Sequence, residues 1–261
     1  MALKYLNFSK EEWIGRMLPK EEELSQRLTN PLALADPEAI VPCGETLLQR
    51  ETWPEIVLGI GLNTGRSLAE ILKSGVFRAG TAYSLLFAGP MTIEEQMSPF
   101  FEIPTFARAE LVLEALSRVR QMFGMQFAFV SRRDVGRQCG PMIEQAVVWH
   151  FGDLMPQRPG KKLEGYKSLT RGVASRLFVQ YYCPEPVDEL LYMATVQQNR
   201  RVLETTSEEE RFRFAIAAGF LDYVLLDNFG GYDERKGIRL GESGVEVLEV
   251  FRETVAGPGA Q

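Results

Sequence analysis

Ile56-Val57-Leu58-Gly59-Ile60-Gly61-Leu62-Asn63-Thr64-Gly65 is the stretch on which the fold prediction rests. It begins as a short, nearly continuous apolar run, and it ends in closely spaced glycines. A run of this kind is typical of a strand that is buried on both faces of a parallel sheet. The stretch therefore predicts a buried strand followed by a glycine loop.

The sequence after this stretch continues the pattern of a βαβ unit. Ser67 to Ser74 has the apolar spacing of a helix, and Ala82 to Ala88 reads as the next strand. The predicted fold class is α/β, with a Rossmann-type parallel sheet flanked by helices in a single domain. The remaining predicted elements are a helix over Thr105–Phe123, a strand over Phe127–Val130, helices over Val187–Glu204 and Ser207–Leu226, and a strand over Val245–Phe251.

The length and composition favour one globular domain, since 261 residues with 45% hydrophobic residues can bury a sizeable core. The predicted organisation is an N-terminal helical arm and loop over 1–42, a Rossmann-like catalytic domain over 43–253 and a flexible tail over 254–261. No apolar run approaches the roughly 18 residues of a membrane span, so a cytoplasmic location is expected.

The cysteines and the histidine limit the chemistry that the chain can perform. Three cysteines, Cys43, Cys139 and Cys183, lie far apart, and His150 is the only histidine. This set lacks the spacing of a zinc site and the even count of a disulfide framework. The sequence therefore predicts reduced thiols and no metal.

The charge is unevenly distributed along the chain, although the formal net charge is -6. From Arg118 to Arg176 there are eleven lysines and arginines against four acids, a local balance of +7, so the remainder carries -13. A basic segment in an acidic protein can hold phosphates through counterion release. This pattern suits a tRNA or a polyanionic cofactor, and a merely solvated surface is the alternative.

The glycine loop has two common interpretations, a dinucleotide site and an S-adenosylmethionine site. The third glycine comes one residue late for G-x-G-x-x-G, and Phe87-Ala88-Gly89-Pro90 stands where a ribose-binding acid is expected. No Gly-Lys-Ser or Gly-Lys-Thr follows the loop, so a Walker-type phosphate loop is excluded. The missing acid counts against both cofactors.

Three stretches together resemble the tRNA-dependent cyclodipeptide synthases, which are similar in fold to the catalytic domains of class I tyrosyl- and tryptophanyl-tRNA synthetases. The first is Ile56–Thr64, although glycine stands at position 61 where the family has serine. The second is the Ala-Arg-Ala segment that runs from Ala107 to Arg120. The third is the pair Leu190–Thr205 and Ala218–Asp227. The resemblance implies an aminoacyltransferase that makes a cyclic dipeptide, a diketopiperazine, from two aminoacyl-tRNAs without a cofactor.

The resemblance also implies site residues. Tyr223 and Asp227, four residues apart, would bind and deprotonate the aminoacyl amine, and Thr64 would replace the missing serine nucleophile. The expected substrate-binding residues are Gly59, Gly61, Asn63, Ser67 and Phe251. The expected tRNA-binding residues are Arg108, Arg118, Arg120, Arg132, Arg133 and Arg137.

Two other functions stay open from the sequence. One is a methyltransferase that binds S-adenosylmethionine through backbone contacts of the glycine loop. The other is a noncatalytic relative that binds tRNA or a protein partner, which the glycine at position 61 favours because glycine cannot form an ester.

Overall fold

The computed structural model describes residues 24–90, 97–158, 160, 165–197, 207–227 and 229–256. This part of the chain is mainly helical, so the prediction of a Rossmann-type parallel sheet is wrong. The helices are α1 (Pro37–Leu47), α2 (Trp53–Thr64), α3 (Ala109–Phe123), α4 (Arg132–Phe151), α5 (Ala174–Tyr182), α6 (Glu189–Gln197), α7 (Glu208–Ala218) and α8 (Arg252–Ala256). Two segments are π-helical, Glu70–Ser74 and Ser168–Val173, and two are 3₁₀-helical, Phe220–Asp222 and Glu249–Phe251.

The described strands form two small sheets. Strands β2 (Val76–Ala79), β3 (Ser84–Ala88) and β4 (Phe101–Pro104) make an antiparallel sheet in that order. Strands β1 (Leu32–Leu34) and β5 (Tyr223–Leu225) pair in parallel, with Leu32 opposite Tyr223. The β1–β5 pair joins an early segment of the described chain to a late one.

The stretch that was predicted to be a strand is helix α2. Pro54 occupies its first turn, where the missing N–H of proline costs nothing, and Thr52 precedes it in an extended conformation. The helix ends at Gly65, which has φ of 69° and donates its N–H to the carbonyl of Gly61 at 2.8 Å. A glycine in this left-handed conformation is a common helix stop. The helix start and stop signals were therefore present in the sequence.

Helix α2 is the central helix of the core. Every residue from Ile56 to Thr64 is buried, and the helix packs against α1, α3, α4 and the π-helical segment Ser168–Val173. A helix that is apolar on all sides is expected to be enclosed on all sides. Its glycines allow close packing: a Cβ at Gly59 would lie 2.9 Å from that of Leu47.

The other predicted elements agree with the structure to different degrees. The helix over Thr105–Phe123 corresponds to α3, and the strand over Ala82–Ala88 corresponds to β3. The capping box at the start of α7 is confirmed, because Ser207 and Glu210 exchange hydrogen bonds. Phe127–Val130 forms turns and Val245–Phe251 ends in a 3₁₀ turn, so these two strand predictions are wrong.

The second long predicted helix breaks at Gly219, which has φ of 78°, and the chain then forms β5. The domain boundaries at 42/43 and 253/254 stay predictions, and α1 runs across the first of them. Residues 1–23 of the predicted arm and 257–261 of the predicted tail lie outside the described residues. Within the described part, no helix is both long enough and apolar enough to cross a membrane.

We predict that Gly61→Ala destabilises the fold. The added Cβ would lie 2.2 Å from the hydroxyl oxygen of Tyr166, and overpacking of this kind costs about 1–3 kcal/mol. The measurement is the free energy of unfolding in urea. Gly140→Ala is the control, because nothing lies within 4 Å of its Cβ and alanine favours a helix by up to about 1 kcal/mol. Equal stabilities for Gly61→Ala and the parent would contradict the close contact.

Candidate functional site

Arg66 follows the end of α2, and its side chain is buried, with only 2% of the residue exposed. Its guanidinium donates one hydrogen bond to the carbonyl of Thr64 at 3.1 Å and another to the carbonyl of Val196 in α6. The guanidinium also lies over the ring of Phe87, 4.8 Å from its centroid. Arg66 is therefore held in one orientation by three parts of the chain.

Arg66 is a costly residue for the fold to bury. Burial is the main cause that lowers the pKa of its guanidinium; the charge of Glu70 raises this pKa and that of Arg171 lowers it. Among the described residues, no carboxylate forms an ion pair with Arg66. A buried cation beside a second cation is typical of a site that receives an anion.

Arg171 lies in the π-helical segment Ser168–Val173. The i→i+5 hydrogen bonding of this segment is completed by the N–H of Ala174, which donates to the carbonyl of Leu169. π-Helical turns are rare, and they often occur at functional sites. Lys167 and Arg171, four residues apart, both line one cavity.

The cavity has a volume of about 320 Å³ and three walls. One wall is the segment Ser67–Ala69 that follows Arg66, the second is the first turn of α4, and the third is the segment Tyr166–Arg171. Ser131 caps α4 by accepting the N–H of Asp134, and the exposed N–H groups of a first helical turn favour an anion. The charged lining residues are Arg132, Arg133, Lys167 and Arg171.

Three of these cations have no counter-charge in the described part of the chain. Arg133, Lys167 and Arg171 form no hydrogen bond or ion pair with a described residue. Most exposed arginines in the described ranges are paired, as Arg213 is with Glu209 at 2.6 Å. Like charges that gather without acids repel one another, so an anion bound among them would be stabilised.

Tyr166 connects the cavity to helix α2. Its hydroxyl donates a hydrogen bond of 2.8 Å to the carbonyl of Arg66, and its backbone N–H donates to the carboxylate of Glu144. Burial raises the pKa of the Tyr166 hydroxyl well above its usual range. The hydroxyl is therefore a neutral hydrogen-bond donor that fixes the backbone at Arg66.

A larger groove, of about 900 Å³, lies elsewhere on the surface. It is lined mainly by apolar groups, among them Pro54, Pro141 and Trp149, and it also contains the His150–Glu55 pair at 3.0 Å. The groove has no lysine or arginine in its lining. The smaller cavity is therefore the candidate functional site on the grounds of charge.

The glycine loop residues that were predicted to bind substrate lie inside α2. Asn63 donates to the carbonyl of Gly59 at 2.9 Å and accepts the N–H of Ala107 at 2.7 Å, and the Thr64 hydroxyl donates to the carbonyl of Ile60 at 2.7 Å. These buried groups are satisfied by the protein itself. Of the predicted substrate-binding residues, Ser67 is the one that lines the cavity.

The structure places Tyr223, Asp227 and Phe251 away from the lining of the cavity. Tyr223 is buried in β5, Phe251 is stacked on Tyr192 with centroids 5.4 Å apart, and the carboxylate of Asp227 accepts N–H groups of its own turn. Because Tyr223 lies in a strand, it does not share a helical face with Asp227. A catalytic role for Tyr223, Asp227 or Thr64 stays a prediction.

The six arginines that were predicted to bind tRNA divide into two kinds. Arg118 donates to the carbonyls of Leu48 and Arg50, and Arg120 donates to three carbonyls around the π-helical segment Glu70–Ser74. These two are occupied within the fold. Arg108 and Arg137 are exposed and paired with Glu110 and Asp134, whereas Arg132 and Arg133 line the cavity.

A basic cavity beside a buried arginine, in a mainly helical domain, is an arrangement that suits a phosphate group. The sequence profile of the telomere resolvase ResT/TelK catalytic domain matches residues 32–199, which is more than half of the chain. The chain therefore belongs to the telomere resolvase ResT/TelK family. No curated protein sequence matches this chain.

Solved structures of protelomerases share the fold. A tyrosine-to-alanine variant of protelomerase TelA, covalently complexed with substrate DNA, has a TM-score of 0.68 and 20% identity over 85% of this chain and 69% of its own. An arginine-to-alanine variant of TelA, complexed with a DNA hairpin product, has a TM-score of 0.67 and 18% identity. The match covers 84% of this chain and 68% of the TelA chain. Protelomerase TelK complexed with substrate DNA has a TM-score of 0.62 and 14% identity. The match covers 86% of this chain and 44% of the TelK chain.

These comparisons correct the functional predictions from the sequence. The resemblance to cyclodipeptide synthases is wrong, because the family profile and the shared fold belong to telomere resolvases. The aminoacyltransferase activity, the aminoacyl-tRNA partners and the methyltransferase alternative are overturned by the same findings. The noncatalytic alternative was defined as a synthase relative, so it is overturned with that family.

Sequence reasoning missed the residues that form the centre of the site. The sequence did not predict four of the site residues, which are Arg66, Tyr166, Lys167 and Arg171, although Lys167 and Arg171 lie in the basic segment. Arg66 follows the helix-ending Gly65 directly, so an arginine placed after a helix stop was a usable signal. No signal in the sequence shows that residues 66 and 171 lie close together in the fold.

We predict that the cavity binds inorganic phosphate. Phosphate should raise the melting temperature of the protein more than chloride does at equal ionic strength, because a ligand that binds only the folded state stabilises it. Lys167→Gln together with Arg171→Gln should abolish this difference. Arg213→Gln, which removes a paired arginine of α7, is the matched control. If phosphate raises the melting temperature of the double variant as much as that of the parent, the cavity is not the phosphate site.

Proposed function

We propose that this chain is the catalytic part of a telomere resolvase that breaks and rejoins a DNA strand at the basic cavity. The observation that carries the proposal is the group of cations that have no partner among the described residues, Arg133, Lys167 and Arg171, beside the buried Arg66. Family membership over residues 32–199 and the TelA and TelK complexes with DNA support DNA as the partner.

The charges of the cavity suit phosphoryl transfer. When a nucleophile attacks a DNA phosphodiester, negative charge grows on the phosphate oxygens that do not link nucleotides. Fixed arginines stabilise that charge without reorganising, because their guanidinium groups are already in place. Arg171 lines the cavity and has no described partner, so it can contact a phosphate oxygen directly. Arg66 is held by the carbonyls of Thr64 and Val196 next to the Ser67–Ala69 wall, so its fixed charge attracts that phosphate without direct contact.

A covalent intermediate, as in the TelA complexes with substrate DNA, requires a nucleophile. The described hydroxyls in the lining already donate to the protein: Ser67 to Glu70 at 2.6 Å, Tyr166 to the carbonyl of Arg66 and Thr170 to the carbonyl of Tyr166 at 2.9 Å. We therefore assign the nucleophile to another segment. Tyr232, 67% exposed on the loop after β5, is our candidate, because its phenol is accessible to DNA. It lines a separate cavity with Arg176 and Arg235, so the DNA strand has to extend from the basic cavity to this second one.

Binding of DNA by an acidic protein requires the cations to face the DNA as a group. Arg132, Arg133, Lys167 and Arg171 lie around one cavity. Each phosphate that they neutralise makes the slope of the logarithm of the binding constant against the logarithm of the salt concentration more negative by about 0.9. Binding should therefore weaken steeply with added salt. The acidic remainder of the surface is screened beyond about 10 Å at 0.1 M salt.

The test of this function is the formation of a covalent protein–DNA species. The protein is mixed with a pool of duplex oligonucleotides that have a randomised central segment, and adducts are separated on a denaturing gel. We predict that the parent protein forms an adduct and that Arg171→Ala slows its formation by about 10²–10³-fold, the usual cost of removing one donor to a developing oxyanion. Binding of DNA should weaken far less than cleavage does.

The controls separate chemistry from folding. Arg213→Ala, which removes a paired arginine of α7 outside the cavity lining, should form the adduct at the rate of the parent. Peptide mapping of the adduct identifies the nucleophile, with Tyr232 expected. If no member of the pool yields a covalent species with the folded parent protein, the proposed function is wrong.

A further inference from the structure

Phe129 is 98% exposed, on the turns that connect α3 to α4. Met125, in the same connection, is 77% exposed. Single exposed apolar residues are common on protein surfaces and have no meaning by themselves. The surroundings of Phe129 are what distinguish it from other exposed side chains.

The backbone on either side of Phe129 is fixed. The ammonium group of Lys73 donates to the carbonyls of Ala128 at 3.3 Å and Val130 at 2.6 Å, so one cation holds both neighbours of Phe129. Phe127 is buried, and its ring packs on Phe123 at 4.8 Å. The phenyl ring of Phe129 is therefore displayed to solvent from an anchored backbone.

Phe129 is also close to the basic cavity. Two residues separate it from Arg132, and the three Cα–Cα steps between them span at most about 11 Å. Its anchor, Lys73, belongs to the π-helical segment that follows the Ser67–Ala69 wall. Along one DNA strand the rise is about 3.4 Å per nucleotide, so the Cα atoms of Phe129 and Arg132 are no farther apart than about three nucleotides.

We propose that Phe129 stacks on an unpaired DNA base within about three nucleotides of the phosphate that the cavity holds. This inference rests on the proposed function and specifies which form of DNA the site accepts. An aromatic ring beside arginines is the arrangement that binds single-stranded DNA, because the cations hold the backbone and the ring stacks on a base face. Bases inside a duplex are already stacked, so the site selects DNA that is opened or folded into a hairpin.

The experiment compares two DNA probes that share one stem sequence. One is a hairpin with a four-nucleotide loop that carries 2-aminopurine, and the other is the blunt duplex with 2-aminopurine in the stem. Phe129→Ala should weaken hairpin binding by about 5- to 150-fold, the range measured for base–aromatic stacking, and leave duplex binding unchanged. Binding of the hairpin by the parent should quench the 2-aminopurine fluorescence, and Phe129→Ala should not.

Two further variants control the result. Phe129→Trp keeps an aromatic face and should retain both affinity and quenching. Phe229→Ala removes a phenyl ring that is 97% exposed and has no place in the cavity lining, so it should bind both probes as the parent does. Melting temperatures verify that all variants fold.

The outcomes separate this inference from the proposed function. Equal hairpin affinity and equal quenching in Phe129→Ala and the parent would overturn the stacking inference, as expected if the ring contacts a protein partner instead. The proposed function would stand in that case if the parent forms the covalent adduct. Weaker binding of both probes by the same factor would also overturn the inference, because stacking on an unpaired base discriminates between them.

Discussion

The hydrogen bond from the Tyr166 hydroxyl to the carbonyl of Arg66 is the contact on which the site depends. It joins two segments that are 100 residues apart in sequence, and it is possible because Gly61 leaves room for the phenol. The contact fixes the backbone that carries Arg66, and the same chain that provides Tyr166 continues to Lys167 and Arg171. One neutral hydrogen bond therefore brings the cations of two segments to one cavity.

The electrostatic cost of burying Arg66 near a second cation indicates that this part of the fold is suited to an anion. A buried arginine without an ion pair among the described residues opposes folding, and a second cation nearby increases the opposition. Arg66 is stabilised in part by the carbonyls of Thr64 and Val196 and by the face of Phe87. These groups hold its orientation without neutralising its charge. A phosphate bound at the adjoining cavity would supply the negative charge that the described groups leave out.

The sequence could predict the amphipathic helix α3, the capping box of α7 and the placement of Arg132 and Arg133 in a basic segment, because each depends on local pattern. The run at Ile56–Gly65 misled the prediction, since a short apolar run fits a buried strand and a buried helix equally well. Pro54 and Gly65 are helix boundary signals that decide between them. The convergence of Arg66 with Arg171 depends on tertiary packing, which no local pattern encodes.

The local charge balance of +7 also overstated how many cations can contact DNA. Arg118, Arg120 and Arg176 lie in the basic segment, but their guanidinium groups donate to backbone carbonyls. Such arginines stabilise the packing of segments, and their removal would leave buried carbonyls unsatisfied. The cations that can bind a phosphate are those without a protein partner. Counting partners is therefore a better guide to a phosphate site than counting charges, and here it selects the cavity at Lys167 and Arg171.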